Sequence, residues 1–124
     1  QFKFLGKISN DKLSSKYGES EIIILPSYNS SEGFGMVLIE GMAHKCVAMG
    51  TRVGGIPYVI DDGVNGLLVP PKDSQALADA IIKVLNNPKL AKQMGEAGYK
   101  KVKETFTWDI QLKIINLIVR KFLR

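Results

Sequence analysis

Short apolar runs that end near proline or glycine constrain the fold of this chain more than any other feature. Residues 21–25 include three consecutive isoleucines, and Pro26 stops the run. Such a run is typical of a strand that is buried on both faces of a parallel sheet. Similar runs at 2–5, 46–49 and 66–69 predict further strands, and helical patterns lie between them. Because strands that alternate with helices form βαβ units, we predict an α/β fold with a parallel sheet of about four strands flanked by helices.

The predicted helices include one that is unusually apolar. Residues 34–44 are apolar nearly all round, which predicts a buried helix whose only acid is Glu40. A buried carboxylate is costly unless it is paired, so we expect an internal partner for Glu40, such as a lysine or an arginine. Periodicity and capping residues predict the remaining helices, at 10–17, 74–86, 88–106 and 108–124, with Asp73 and Asn87 as the caps of the second and third of these. All of these elements fit one domain, residues 1–124, with a helical C-terminal tail.

Composition narrows the range of partners. The net charge of +5 favours an anionic ligand, but it does not choose among a phosphate, a nucleic acid and a membrane surface. No basic–aromatic interleaving supports nucleic-acid binding, so we expect none. Cys46 is the only cysteine, which excludes an internal disulfide and is typical of a reducing compartment. One histidine and one cysteine cannot build a zinc site, so we predict no metal.

The segment from Glu32 to Glu40 is the most informative stretch for function. It follows a predicted buried strand, and ligands of open parallel sheets bind where such loops lie. Gly33 and Gly35 allow a ligand to approach the backbone closely. The first N–H groups of a helix lack internal partners and favour an anion. The alternative is a plain turn, because Gly-x-Gly before a helix is common.

The same stretch resembles a known family. Residues 25–27 (Leu-Pro-Ser), 32–35 (Glu-Gly-Phe-Gly) and 40–43 (Glu-Gly-Met-Ala) resemble the retaining nucleotide-sugar glycosyltransferases of GT-B fold, the family-four group. The hallmark of that group is a pair of glutamates separated by seven residues, and Glu32 and Glu40 have this spacing. Residues 51–57, 62–70, 73–82 and 106–108 continue the match in the same order. The resemblance implies a Rossmann-like sheet in an incomplete GT-B C-terminal domain, truncated at its N-terminal side.

The resemblance also assigns roles to individual residues. Glu40 would hold the ribose hydroxyls of a UDP- or GDP-sugar, and Glu32 would be the catalytic residue that contacts the transferred sugar. Backbone amides of Gly33, Phe34 and Gly35 would lie against the sugar and the diphosphate. Gly6 would border the base. Such enzymes usually need no tightly bound metal, and the donor sugar is a substrate rather than a cofactor.

The predicted function is therefore the donor-binding part of a hexosyltransferase that transfers a sugar to an acceptor hydroxyl with retention. The diphosphate-binding basic residues and the domain that binds an acceptor sugar or lipid lie upstream in the family, so this chain alone is expected to be inactive. The alternative is a non-catalytic nucleotide- or anion-binding module of the same fold. The resemblance implies synthesis of a polysaccharide or glycolipid, in the cytoplasm or at the inner face of the membrane.

The chain departs from the family pattern at two places, and two further residues have a functional and a structural interpretation. Lys45 and Val47 stand where relatives carry glycine and proline, and Tyr58 stands where many carry an acid. Arg52 is either a cation near the phosphates or, as we prefer, a solvated loop residue. His44 is interpreted as a partner of the helix dipole rather than as a base.

The C-terminal helix leaves alternatives open. From Ile110 onwards it is rich in apolar residues, carries lysine and arginine, and has no acid. We prefer a helix that crosses back onto an N-terminal domain, and the alternative is a helix lying on a membrane surface. Without that domain its apolar face would be exposed, which predicts self-association.

Overall fold

A parallel sheet forms the centre of the molecule in the computed structural model, which describes residues 1–31, 33 and 35–122. Its strands are β1 (Ile22–Leu25), β2 (Val47–Thr51) and β3 (Gly66–Val69), in the order β1-β2-β3. The register pairs Ile22 with Val47 and Ala48 with Gly66. The predicted α/β fold with a parallel sheet is thus confirmed.

The strand predicted at residues 2–5 is not formed, so the described residues contain three strands rather than about four. Phe2 and Phe4 are almost fully exposed, at 97% and 99%. A strand needs a neighbour that satisfies its backbone groups, and no strand of the described chain pairs with this run. The apolar pattern alone therefore predicted one strand too many.

Helices lie on both sides of the sheet. Three of them start at side-chain caps: Ser9 accepts from the amide of Lys12 at 3.3 Å, Asp73 from that of Ala76 at 2.9 Å, and Asn87 from that of Leu90 at 3.1 Å. The caps predicted at Asp73 and Asn87 are therefore confirmed. The six helices of the described residues are α1 (Asn10–Glu19), α2 (Met36–Ala43), α3 (Ile56–Val59), α4 (Ser74–Leu85), α5 (Pro88–Thr105) and α6 (Trp108–Phe122).

Alternating side chains of the strands enter two separate apolar clusters. On one face, Ala48 packs with α2 and α3, where Leu38, Met42 and Ile56 are fully buried. On the other face, Met49 packs with residues of β3, α4 and α5, including Val84 and Met94. Because β2 lies between two strands and between two helical layers, all five of its residues are buried. The loop that follows the carboxyl end of β2 is thus attached to a fully buried strand.

Helix α6 differs from the other long helices because none of its described residues is buried. Leu117 is 69% exposed and Phe122 is 79% exposed. Among the described residues, no helix combines the length and the apolar character needed to cross a membrane. The exposed apolar face that the sequence predicts for this helix is present.

Candidate functional site

The loop that leads from β1 to α2 lies at the carboxyl end of the sheet and is tied to the neighbouring loop. The carbonyl of Gly33 accepts from the amide of Gly55 at 2.7 Å, which brings the first glycine-containing loop against the second. Thr51, at the end of β2, donates its hydroxyl to the carbonyl of Ser27. These bonds fix the chain just before α2, where a ligand of a parallel sheet is expected.

Gly35 is the N-cap residue that precedes helix α2, and it has a left-handed backbone conformation with φ 68° and ψ 61°. A Cβ atom at this position would lie 2.9 Å from Cδ2 of Leu25 and 3.3 Å from Cδ1 of Leu38, so the site suits glycine alone. No side chain of the described residues caps the helix, and its dipole points its positive end at the loop. The start of α2 is thus a place that favours an anion, and the binding of a ligand by Gly33 and Gly35 stays a prediction.

Two residues of the predicted site, Glu32 and Phe34, lie outside the described residues. The catalytic role of Glu32 and the backbone role of Phe34 therefore stay predictions.

Glu40 is exposed, which contradicts the expectation that the apolar helix buries it. Helix α2 buries Leu38, Ile39 and Met42 against the sheet, but it leaves a stripe through Met36 and Glu40 open. No lysine or arginine of the described residues forms an ion pair with Glu40. Instead, the hydroxyl of Tyr17 donates to Oε2 of Glu40 at 2.9 Å.

Tyr17 is the residue that reasoning from the sequence missed. It is the only buried residue of α1, with 6% of its surface exposed. Burial, followed by the hydrogen bond to Glu40 and the negative charge of that carboxylate, raises the pKa of Tyr17 to about 12. The phenol therefore keeps its proton and acts as a donor. The spacing of Leu13 and Tyr17 on one face of α1 was the available signal, but it indicated packing rather than a partner.

Glu40 and Tyr17 line an open recess of about 370 Å³ between α1 and α2. Its polar lining also includes Ser14 and His44, whereas Leu13 and Ala43 contribute apolar surface. Nε2 of His44 lies 3.0 Å from the hydroxyl of Ser14, and Nδ1 lies 2.9 Å from the carbonyl of Glu40. Both ring nitrogens of His44 thus have hydrogen-bonding neighbours, one on α1 and one on α2.

The structure brings some predicted residues together and leaves one apart. Gly33 and Gly35 both precede α2. Glu40 lies five residues after Gly35, about 7.5 Å along the helix axis at the usual rise per residue. Gly6 has a left-handed backbone with φ 63° and precedes α1. It is not among the residues that line the recess beside Glu40, so its role near a base stays a prediction.

Arg52 is held in an ion pair rather than pointing into solvent alone. Its guanidinium donates to Asp62 at 2.7 Å, and the other carboxylate oxygen of Asp62 accepts from the amide of Leu68 at 3.0 Å. This pairing restrains the segment before β3, and the charge of Arg52 is paired with that of Asp62.

Comparisons with known proteins agree with this architecture. The family model described as glycosyl transferases group 1 matches residues 1–101. The uncharacterized glycosyltransferase MJ1178 of Methanocaldococcus jannaschii is 38% identical over 107 residues, which cover 86% of this chain and 30% of the relative. The chain thus spans less than a third of the length of that relative.

Two solved structures resemble the fold. Sucrose-phosphate synthase from Thermosynechococcus elongatus gives a TM-score of 0.87 at 35% identity, and the match covers 98% of this chain and 30% of the synthase chain. Anabaena Alr3699/HepE, solved in complex with UDP and glucose, gives a TM-score of 0.85 at 23% identity and covers 95% of this chain and 32% of its own. At that identity the second likeness concerns the fold alone.

Proposed function

Because the chain belongs to the glycosyl transferases group 1 family, we propose that it is the donor-binding part of a glycosyltransferase. The reaction would move a sugar from a nucleotide-diphosphate sugar to an acceptor hydroxyl, with retention of anomeric configuration. The observation that carries this proposal is the exposed carboxylate of Glu40, which lies beside an open recess on the helix that follows Gly35. An acid and an uncapped helix start on one short helix suit the two ends of a nucleoside diphosphate.

The roles divide along α2. The backbone around Gly33, Phe34 and Gly35 would receive the diphosphate and the sugar, since amide groups and a helix dipole stabilise negative charge. Glu40 would accept hydrogen bonds from the ribose hydroxyls, because a carboxylate offers acceptor sites on both oxygens. Gly6 would border the base. Glu32 would contact the transferred sugar as the catalytic residue.

Catalysis would depend on holding the leaving nucleoside diphosphate as its bond to the sugar breaks. Groups aimed at charge that develops in the transition state lower the barrier most. We assign part of this task to the backbone amides at the start of α2, and the rest to the basic residues that lie upstream in the family. The acceptor sugar or lipid would be bound by residues outside these 124, and these 124 residues alone would transfer nothing.

The exposed face of α6 suggests a second property of the isolated chain. Leu112, Ile115 and Ile118 are each about half exposed, and contiguous apolar surface of this kind promotes association. We expect self-association through α6, detected by light scattering, with peripheral membrane contact as the alternative. A monomer that binds anionic vesicles would favour the membrane, and a monomer that ignores them would contradict both. The cytoplasmic location stays a prediction.

Nucleotide titration tests the proposed function. UDP, GDP and their glucose conjugates would be added to the ¹⁵N-labelled chain, with Glu40→Gln as the variant and Glu104→Gln as a control on the exposed surface of α5. We expect amide shifts near Gly35 and Glu40, and binding about tenfold weaker in Glu40→Gln only, because hydrogen bonds to a charged acceptor are worth about 1.5–3 kcal/mol. Equal binding by wild type and Glu40→Gln would remove the ribose role. A longer polypeptide that binds the nucleotide without transferring sugar would indicate the non-catalytic module.

A further inference from the structure

We propose that Tyr17 is a positioning residue, which holds the Glu40 carboxylate in the orientation that accepts hydrogen bonds from the ribose hydroxyls. This inference rests on the function proposed for Glu40 and assigns a second residue to the same site. It concerns α1, which lies outside the paired-glutamate segment.

The contrast in burial between the two partners carries the argument. Glu40 is exposed and would sample several rotamers in water, whereas Tyr17 is only 6% exposed and is fixed. The hydroxyl of Tyr17 donates to Oε2 of Glu40 at 2.9 Å, across 23 residues of sequence. A flexible side chain that must be ordered on binding weakens affinity. A fixed donor that orders it beforehand removes that cost.

Tyr17 is held from both its ring and its backbone. Its ring lies against the ring of His44, with centroids 5.5 Å apart and planes inclined by 34°. The buried thiol of Cys46 donates to the carbonyl of Tyr17 at 3.2 Å and to that of Ser20 at 3.3 Å. These contacts connect Tyr17 to α2 and to the start of β2, so the position of its hydroxyl follows the core of the fold.

The hydrogen-bonding capacity of the pair leaves room for a diol. A carboxylate has about four acceptor sites, and the phenol occupies one of them on Oε2. Oε1 and the remaining site on Oε2 stay available to two hydroxyl groups of the ligand. The apolar surface of Leu13 and Ala43 in the same recess suits the carbon face of a ribose ring. Because its pKa is raised, Tyr17 remains a donor throughout the neutral range.

The experiment compares nucleotides with and without the diol. The whole chain would be titrated with UDP, GDP and their 2′,3′-dideoxy forms, in wild type, Tyr17→Phe and Tyr99→Phe. Tyr99 is the matched control, since its half-buried ring lies 5.2 Å from the ammonium of Lys45 and 5.3 Å from that of Lys103. We expect Tyr17→Phe to weaken binding of the diol-containing nucleotide about fivefold and binding of the dideoxy form less than about twofold. Tyr99→Phe should leave both unchanged.

Each other outcome has a defined consequence. Unchanged binding in Tyr17→Phe would overturn the positioning role and leave the proposed function intact. Equal losses of affinity for UDP and dideoxy-UDP in Tyr17→Phe would show that Tyr17 supports only the fold, and this result would also overturn the positioning role. A wild-type chain that does not distinguish the two nucleotides would overturn the proposed function together with this inference. If Tyr17→Phe does not fold, 3-fluorotyrosine labelling keeps the hydroxyl, and the ¹⁹F resonance of Tyr17 must shift with UDP in wild type but not in Glu40→Gln.

Discussion

Replacing Gly35 by alanine is expected to destabilise the chain by about 2–3 kcal/mol, from two separable causes. The left-handed backbone at this position, with φ 68° and ψ 61°, costs a residue with a Cβ atom about 1–2 kcal/mol. The added methyl group would also lie 2.9 Å from Cδ2 of Leu25 and 3.3 Å from Cδ1 of Leu38. Because these atoms are the ends of flexible side chains, we assign the crowding about 1 kcal/mol, the low end for overpacking.

Two other glycines separate the causes. Gly63 has φ 80° and open space around a Cβ atom, so Gly63→Ala carries the backbone cost alone, about 1–2 kcal/mol. Gly33 also has open space and lacks a left-handed φ, so Gly33→Ala should stay within about 0.5 kcal/mol of wild type. The expected order of stability is therefore wild type and Gly33→Ala, then Gly63→Ala, then Gly35→Ala.

Urea denaturation followed by circular dichroism measures these differences. With a slope of about 1.5 kcal/mol/M, each kcal/mol lowers the midpoint by about 0.7 M. A midpoint for Gly35→Ala equal to that of Gly63→Ala would show that Leu25 and Leu38 do not crowd the start of α2. A midpoint for Gly35→Ala equal to that of wild type would show that the residue before α2 is not left-handed. The uncapped helix start would then lose its structural basis.

Three further predictions follow from single contacts. Gly95→Ala should cost about 3 kcal/mol or more in the same denaturation, because its Cβ atom would overlap the carbonyl of Lys45, and backbone cannot move aside as a side chain can. Because folding raises the pKa of Tyr17 from 10.0 to about 12, its contribution is complete below pH 10 and is lost as the pH rises through about 12. The midpoint of wild type should thus fall more than that of Tyr17→Phe over this range, and parallel curves would contradict the raised pKa. Cys46 is fully buried and burial raises its pKa, so Ellman's reagent should modify it only after unfolding, and rapid modification of the folded chain would show that the β2 end is open.

Features that depend on neighbouring residues in the sequence were predictable. Asp73 and Asn87 cap helices because an acceptor side chain three residues before an amide is a local arrangement. The isoleucine run became β1, since an apolar segment between turns pairs wherever a neighbour exists. The glycine-rich start of α2 also followed from local chemistry, although the helix begins at Met36 rather than at residue 34 because Gly35 is left-handed.

Features that depend on distant residues were not predictable. Residues 2–5 have the apolar pattern of a strand, but pairing requires a partner that the described chain does not provide. The apolar character of α2 suggested that Glu40 is buried, yet a helix of this length covers the sheet with one side only. The partner of Glu40 lies 23 residues away, and no local rule connects Tyr17 to it. The pair depends on how α1 packs, which is a property of the whole fold.

The two parts of the proposed site therefore have different mechanical support. The glycine-containing loops are joined to each other by the bond between Gly33 and Gly55, and the bond from Thr51 to Ser27 ties the first loop to the end of β2. In contrast, α1 buries only Tyr17 and is fastened at its C-terminal end through Cys46. Segments with few buried contacts open without global unfolding, so we expect rare openings of α1 away from α2 while the sheet stays intact, with the Tyr17–Glu40 contact made in the predominant closed arrangement. A nucleotide that is bound by Glu40 and supported by Tyr17 favours the closed arrangement by mass action. Amide hydrogen exchange should consequently slow in α1 on addition of UDP while β2 is unaffected, and equal slowing in both would indicate global stabilisation instead.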